Sequence, residues 1–337
     1  MTRGTRYFLV GSAVTVVLGL GTGLVAYYNG GLPIGFGRAD DMQLGYLPAD
    51  AAAVAHADVR TIMDSEFRQK LRQTMPAGEE LAKFKEELGV DIERDIDTVT
   101  VGYMAGQPTE HHAVVVVRGR FNDGNIETMA TQHGMTASTY NGKRLLTMVA
   151  QNGEVAGVSS PTPSIAFLEP GVLALGDSAT VKRAIDAGAS GAEIRKNTEL
   201  MAVINDVRGG GNAWFVGRLD SLSAQAAIPA EIASHLPAVN VVAASVHING
   251  GVRGLLRADA RDDKAAEQLR DVVKGALAAG HLVTGQNPKL ELMLNSIQIT
   301  GTGKTVGLTF SVPTELLDMI NGLAAAHHLG DGKQIHK

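Results

Sequence analysis

The order of apolar runs and capping residues along the chain predicts alternating strands and helices. Short apolar runs with few charges at 52–60, 97–104 and 112–120 predict buried β-strands. Helices are predicted after Asn122 or Asp123 and over 178–187, because short polar side chains accept hydrogen bonds from the free amides of a first helical turn. The resulting mixture of strands and helices predicts an α+β fold.

Two tight turns predict how the strands pair. Asn141–Gly142 separates two strand-like segments, and both residues tolerate the positive φ of a type I′ turn. Pro170–Gly171 joins a second pair of apolar strands. Turns this short connect antiparallel neighbours. We therefore expect a mainly antiparallel sheet with helices on one face.

The second half of the chain repeats the pattern of the first half. The matched segments share their order, their caps and their terminating glycines, and they are 53–60 with 213–220, 96–104 with 239–248, 117–124 with 256–263, 164–171 with 296–303, and 180–188 with 314–322. This pattern predicts an internally duplicated β-α-β-β-α-β-β-α unit. The first α+β repeat is predicted over 45–196 and the second over 197–326, followed by a flexible C-terminal tail at 327–337.

The N-terminus has the pattern of a membrane anchor. Arg3 and Arg6 precede an uncharged apolar stretch over 8–26, which is long enough to cross a bilayer as a helix. The alternative is a cleaved signal peptide, but no good Ala-x-Ala site follows the stretch. The sequence predicts one N-terminal transmembrane helix at 7–28, a linker at 29–44, and a body in the periplasm or extracytoplasmic space of a bacterial inner membrane.

Composition removes several classes of function. The chain has no cysteine, which excludes disulfides, thiolate nucleophiles and a lipoprotein modification. Its formal net charge of −5 gives no electrostatic footprint for nucleic acid. Its aromatic content of 4% argues against surfaces that stack rings on bases or sugars.

Two short motifs resemble catalytic sites but stand in the wrong structural context. The segment 301–305, GTGKT, ends like a phosphate-binding loop, yet it is followed by a strand pattern, and Gln298 occupies the position of the first glycine. A hairpin turn is the better interpretation. The segment 176–178, GDS, resembles an esterase motif, but it opens a predicted helix, so its Asp and Ser are predicted to be caps.

Candidate metal ligands also lack a suitable spacing. The alternating acids at 91, 93, 95 and 97 do not match a calcium loop, because Ile96 and Gly102 occupy the positions of the required glycine and glutamate. The neighbours His111 and His112 would point to opposite sides of a strand, and 327–336 holds further histidines in the predicted tail. We therefore expect no enzymatic activity and assign no catalytic, cofactor-binding or metal-binding residues.

Three segments besides the anchor resemble a family of uncharacterised bacterial proteins. They are LPADAAAVAHADV at 47–59, GVDIERDIDTVTVG at 89–102 and LALGDSATVKRAIDAG at 173–188. Members of this domain-of-unknown-function family have an N-terminal anchor and a large extracytoplasmic body. The resemblance covers 45–190 best, and it implies a location and a fold rather than an activity.

These observations predict a non-catalytic binding or assembly module that is anchored to the inner membrane through residues 7–28 and has a protein partner. One alternative is a carrier of lipid or another apolar ligand, held between the repeats or against the sheet. The second alternative is a serine or metal-assisted hydrolase, which would require convergent side chains that short motifs do not reveal.

Overall fold

The computed structural model describes residues 40–69, 90–105, 113–148, 162–219, 238–284 and 288–313. Within these residues, strands of both predicted repeats form one 12-stranded sheet. The strands are β1 (Ala51–Asp58), β2 (Ile96–Met104), β3 (Ala113–Gly119), β4 (Met135–Tyr140), β5 (Lys143–Met148), β6 (Pro163–Glu169), β7 (Val172–Asp177), β8 (Ala213–Arg218), β9 (Val239–Ile248), β10 (Gly251–Ala260), β11 (Gln298–Thr300) and β12 (Thr305–Pro313).

Helices and short 3-10 turns connect these strands. The α-helices whose bounds lie within the described residues are α1 (Asp40–Leu44), α2 (Val59–Met63), α3 (Ile92–Asp95), α4 (Asp123–Gln132), α5 (Ser178–Ser190), α6 (Thr198–Val207), α7 (Asp263–Thr284) and α8 (Pro288–Asn295). The 3-10 turns are Ile194–Lys196 and Arg208–Gly210.

The order of strands across the sheet is β11-β12-β10-β9-β8-β1-β2-β3-β7-β6-β5-β4. All of the described strand pairs are antiparallel. The predicted antiparallel sheet is therefore confirmed. The opening strands of the two predicted repeats, β1 and β8, lie side by side at its centre, and β4 and β11 form its two edges.

The expected placement of the helices on one face is wrong, because helices cover both faces. Val114 and Val116 of β3 point to one side, and they pack in a cluster with side chains of α1, α5 and α6. Val115 and Val117 point to the other side. We call these the front face and the back face. The back face is packed against side chains of α2, α4, α7 and α8. The uninterrupted apolar run in β3 is the physical reason, since a strand buried on both sides carries no polar alternation.

Helix α6, on the front face, is absent from the sequence-based prediction. Asn197 caps it by accepting a hydrogen bond from the amide of Leu200. Its buried side chains, Leu200, Val203 and Ile204 among them, pack in the same cluster as Trp214 of β8. The helix is an ordinary amphipathic segment that lies between the matched segments 180–188 and 213–220.

The predicted turns and caps lie where the sequence placed them. Asn141 and Gly142 have φ values of 45° and 75°, and Gly171 has a φ of 74°, so both hairpins turn through left-handed backbone. The side chain of Asn122 caps α4 by accepting from the amide of Asn125. The predicted end of the helix over 178–187 at Gly188 is wrong, because α5 continues to Ser190 and ends at Gly191 in the left-handed conformation with a φ of 70°.

The predicted linker ends earlier than the sequence suggested. Residues 40–44, which were assigned to the linker, form α1, and its side chains at Gln43 and Leu44 are fully buried. Leu47 is also fully buried. An amide and two leucines bury in this way only when the segment belongs to the core, so the body begins by residue 40 rather than at residue 45. The remainder of the linker, the anchor at 7–28, the helix at 314–322 and the tail at 327–337 lie outside the described residues.

Candidate functional site

The phosphate-loop-like segment Gly301–Thr305 is a hairpin turn. It connects β11 to β12, and the amide of Thr305 donates a hydrogen bond to the carbonyl of Thr302. Gly301 and Gly303 have positive φ values of 87° and 56°. A phosphate loop would instead present its amides at the start of a helix. The interpretation from the sequence is confirmed for this segment.

Because Lys304 lies on this exposed turn, we predict that Lys304→Ala changes the free energy of unfolding by no more than about 0.5 kcal/mol. Denaturant unfolding of the full chain in detergent, compared with the parent chain, provides the measurement. Saturable ATP binding by the parent chain that disappears in the variant would contradict the hairpin interpretation.

The acidic corner at 91–97 is an ion-paired structural junction. Asp91 caps α3 by accepting a hydrogen bond from the amide of Glu93. Glu93 pairs with Arg68 at 2.6 Å, and Asp97 pairs with Arg60. Their carboxylates are therefore engaged with the protein itself. Within the described residues, no group of three or more His, Asp or Glu side chains is arranged to hold a metal ion.

The esterase-like segment 176–178 likewise serves as a helix start. Asp177 accepts a hydrogen bond from the amide of Ala179, and Ser178 is the first residue of α5. The histidines at 111, 112, 327, 328 and 336 lie outside the described residues.

A row of buried side chains crosses the front face at the centre of the sheet. Thr100, His56, Trp214 and Ser245 are directly opposite one another on four adjacent strands, β2, β1, β8 and β9. All four are buried. The rings of His56 and Trp214 stack with their centroids 5.6 Å apart. A sequence pattern did not reveal this row, because its members are separated by up to 189 positions and meet only through strand register.

Hydrogen bonds connect this row to the first segment of the body. Nδ1 of His56 lies 2.8 Å from the hydroxyl of Thr100. The hydroxyls of Thr98 and Thr100 both donate to Oε1 of Gln43, at 2.8 and 3.1 Å, and Nε2 of Gln43 donates to the carbonyl of Val116 at 2.9 Å. Since the Thr100 proton is used toward Gln43, the neutral imidazole donates from Nδ1. The network fastens α1 to the middle of the front face.

Burial determines the charge state of His56. Desolvation lowers the pKa of His56 from 6.5 to about 4, and the nearby carboxylate of Asp58 opposes this shift only in part. The imidazole is therefore neutral near pH 7. A neutral, hydrogen-bonded histidine that stacks on an indole stabilises the front face, and its ring lies within the core.

Among the strands β1 to β7, the edge strand β4 has the most exposed residues. It pairs with β5 only, and its residues 136–139 are all exposed. None of the residues from Met135 to Tyr140 is charged. The turn that follows is held in place, because the Tyr140 hydroxyl and the Asn141 amide both donate to Asp186 of α5. The edge is thus presented on a fixed hairpin.

A cavity of about 300 Å³ lies in the half of the sheet that is far from β4, beside the turn between β9 and β10. His247, Arg253 and Ser311 line it, together with the turn residues 249–251. No short sequence motif marks these residues. A cross-strand trio has no signature in the sequence, since its members lie on three strands.

Comparisons with known proteins assign no family. No family model matches the chain, and no curated protein matches it. A solved structure described as crystal form I of TP0453 is similar with a TM-score of 0.42 and 10% identity, and the match covers 82% of this chain and 95% of that chain. A likeness of this size carries no argument about function.

None of the helices within the described ranges is both long enough and apolar enough to cross a membrane. The predicted anchor at 7–28 is not among those ranges.

Proposed function

We propose that this protein is a membrane-anchored, non-catalytic assembly module in which two copies join at their β4 edges. The observation that carries the proposal is the exposed and uncharged edge strand β4. Edge strands of monomeric proteins are commonly protected by charges, prolines or bulges, because their unpaired amides and carbonyls are a template for another strand. The segment Met135–Tyr140 carries none of these protections within its six residues.

The register of the β4–β5 hairpin indicates which backbone amides and carbonyls of β4 are free to pair with another strand. Tyr140 and Lys143 flank the two-residue turn and form its closing hydrogen-bonded pair. Since hydrogen-bonding direction alternates along a strand, the amides and carbonyls of Met135, Ala137 and Thr139 point away from β5. A second β4 strand, running antiparallel, offers the same groups in return. Two registers satisfy a two-fold axis, one centred on Ala137 and one on Ser138.

An internal duplication of the chain is part of this proposal. The sequence match of 53–60 with 213–220 equates Ala55 with Phe215, and these two residues face each other across β1 and β8. A local two-fold axis between the repeats requires this register. The neighbouring strands support it as well. Ala55 faces Val101, and Phe215 faces Ala244, and these two partners correspond when 96–104 and 239–248 are aligned at their first residues.

The β4–β5 hairpin is a feature that the two proposed repeats do not share. Going outward from the centre, β1-β2-β3-β7-β6 corresponds to β8-β9-β10-β12-β11. The β4–β5 hairpin has no counterpart beyond β11 among the described strands. An addition to one repeat that extends the sheet and ends in an unprotected edge supports a role in association.

The position of α1 supports a second copy as the partner. A two-fold axis that pairs β4 with its own copy is perpendicular to the sheet, so it keeps both front faces on the same side. Helix α1 packs on the front face. Both chains would then leave the dimer toward the same side, and both predicted anchors at 7–28 would reach one membrane.

Single-cysteine variants test the β4 pairing, and the cysteine-free chain makes them unambiguous. Residues directly opposite across an antiparallel pair have Cα atoms about 4.5–5.5 Å apart, which a disulfide can span. We predict that oxidising membranes that contain full-length Ala137→Cys or Ser138→Cys gives a covalent homodimer. Non-reducing electrophoresis provides the measurement, and Thr128→Cys, on the exposed surface of α4, is the matched control.

Equal dimer formation by the Thr128→Cys control, or none at either β4 position, would refute the pairing. A mixed disulfide between the β4 cysteine and another protein would also refute the second copy as partner. Ala137→Lys provides the opposite test, because it places like charges across the axis. We expect it to weaken self-association in detergent by about tenfold, as measured by sedimentation.

A further inference from the structure

Three donor side chains form a row on the front face of the second repeat. Arg253 of β10 faces His247 of β9 on one side and Ser311 of β12 on the other. Side chains at directly opposite positions of antiparallel strands have Cβ atoms about 4.5–5.5 Å apart. An imidazole, a guanidinium and a hydroxyl are therefore adjacent, and all three line the cavity of about 300 Å³.

The three residues of the row include no carboxylate that could pair with the guanidinium. Arg253 is exposed, and within the described part of the chain its guanidinium makes no hydrogen bond or ion pair. Arg257, four residues further along the same strand and on the same face, shows the usual arrangement, since it pairs with Asp206 and Asp259. Arg253 thus differs from its neighbour in presenting free N–H groups to the cavity.

The surroundings restrict what the cavity can accept. Asn249 and Gly250 form the turn at its rim, and Gly251, Val252 and Val312 complete its lining, although the side chains of both valines pack on the back face. The carboxylate of Glu66 approaches the turn beside Gly250, from a segment whose neighbour Phe67 packs on the back face. The Glu66 carboxylate therefore lies beside the turn. The row on the front face itself consists of a guanidinium, an imidazole and a hydroxyl.

We propose that His247, Arg253 and Ser311 bind the phosphate group of a ligand. A guanidinium presents paired N–H donors that match two oxygens of a phosphate. The imidazole and the hydroxyl supply donors for the remaining oxygens of the phosphate. A carboxylate ligand has only two oxygens and would leave these donors without a partner. This site does not depend on pairing at β4, and the two proposals are tested separately.

The phosphate has two possible sources, a free phosphorylated small molecule or a phospholipid headgroup. The row lies on the front face, which also carries α1, the segment that follows the predicted linker. A headgroup of the membrane that holds the anchor would approach this face. The experiment therefore includes a probe for each source.

Calorimetric titration of the full chain in a non-ionic detergent tests the site. The probes are inorganic phosphate and short-chain phosphatidylglycerol, each added to the parent chain, to Arg253→Gln and to Arg183→Gln. Arg183 is the matched control, because it lies on a front-face helix and pairs with Asp50. We expect saturable binding of at least one probe that is about tenfold weaker in Arg253→Gln and unchanged in Arg183→Gln.

The pattern of binding identifies the source. Binding of inorganic phosphate indicates a free phosphorylated ligand, whereas binding of phosphatidylglycerol that inorganic phosphate does not displace indicates a headgroup. His247→Gln and Ser311→Ala should each weaken the same titration. Failure of both probes to bind, or equal loss in Arg253→Gln and Arg183→Gln, overturns the proposal. Unchanged Trp214 fluorescence shows that each variant retains its fold.

Discussion

Lowering the pH from 7 to 4 is expected to cost the folded protein about 3 kcal/mol through His56 alone. The pKa of His56 is lowered from 6.5 to about 4 by burial, whereas the unfolded chain keeps a value near 6.5. The unfolded state therefore binds the proton first as the pH falls. The contribution of His56 is fully present above about pH 6.5 and is lost progressively between that value and about 4. Each pH unit between the two values corresponds to about 1.4 kcal/mol.

Trp214 provides the measurement for this prediction. It is the only tryptophan of the chain and stacks on His56, so its fluorescence reports directly on the row. Urea unfolding of the full chain in detergent at several pH values gives the free energy of unfolding. The control, His56→Phe, keeps a stacked ring but cannot titrate, and its stability should fall less between pH 7 and 4. Equal losses in the parent chain and in His56→Phe would show that His56 does not govern the acid response.

Replacing Gln43 by alanine is expected to lower the free energy of unfolding by about 3 kcal/mol. The side chain is fully buried and makes hydrogen bonds to four groups, which are the hydroxyl and the carbonyl of Thr98, the hydroxyl of Thr100 and the carbonyl of Val116. Its removal leaves these groups buried without their partner, which costs more than the lost bonds themselves. It also leaves space beneath α1.

Met42 offers a matched control for this substitution. It lies next to Gln43 in α1, and 41% of its surface is exposed. Met42→Ala should change the free energy of unfolding by less than about 0.5 kcal/mol. Urea unfolding monitored by Trp214 fluorescence compares the two variants with the parent chain. A similar small effect of both substitutions would mean that α1 is not fastened through the amide of Gln43.

The two predictions address one structural unit. His56 bonds to Thr100, and Thr100 bonds to Gln43, so the centre of the sheet and the first segment of the body share a hydrogen-bonded chain. Substitutions at His56 and Gln43 are in one network and should not be additive. A double variant, His56→Phe with Gln43→Ala, should lose less stability than the two single losses together.

Local chemistry explains which elements were predictable. Asn141, Gly142 and Gly171 tolerate the left-handed backbone of a tight turn, so their positions between strand-like segments predict hairpins. The side chains of Asn122 and Asp177 cap helices through contacts with amides two or three residues away. These features depend on neighbours along the chain, so a single sequence is sufficient to predict them.

Helix placement was not predictable in the same way. The sequence suggested helices on one face, yet Val114 to Val117 of β3 are all buried and require a cover on both faces. Apolar periodicity shows that a strand is buried, but it does not show which helix covers which side. The buried row of Thr100, His56, Trp214 and Ser245 was also not predictable from the sequence, because only strand order and register bring its members together.

The sequence by itself determined the antiparallel strands, their tight turns, their helix caps and the cysteine-free composition, because each depends on residue type or on contacts within a few positions. Only the tertiary structure decided that both predicted repeats share one sheet, that β1 joins β8, and that β4 ends the sheet unprotected. It also decided that His247, Arg253 and Ser311 meet at one cavity. Such relations arise from hydrogen bonding between distant strands, which bury the most apolar surface only in one order and register.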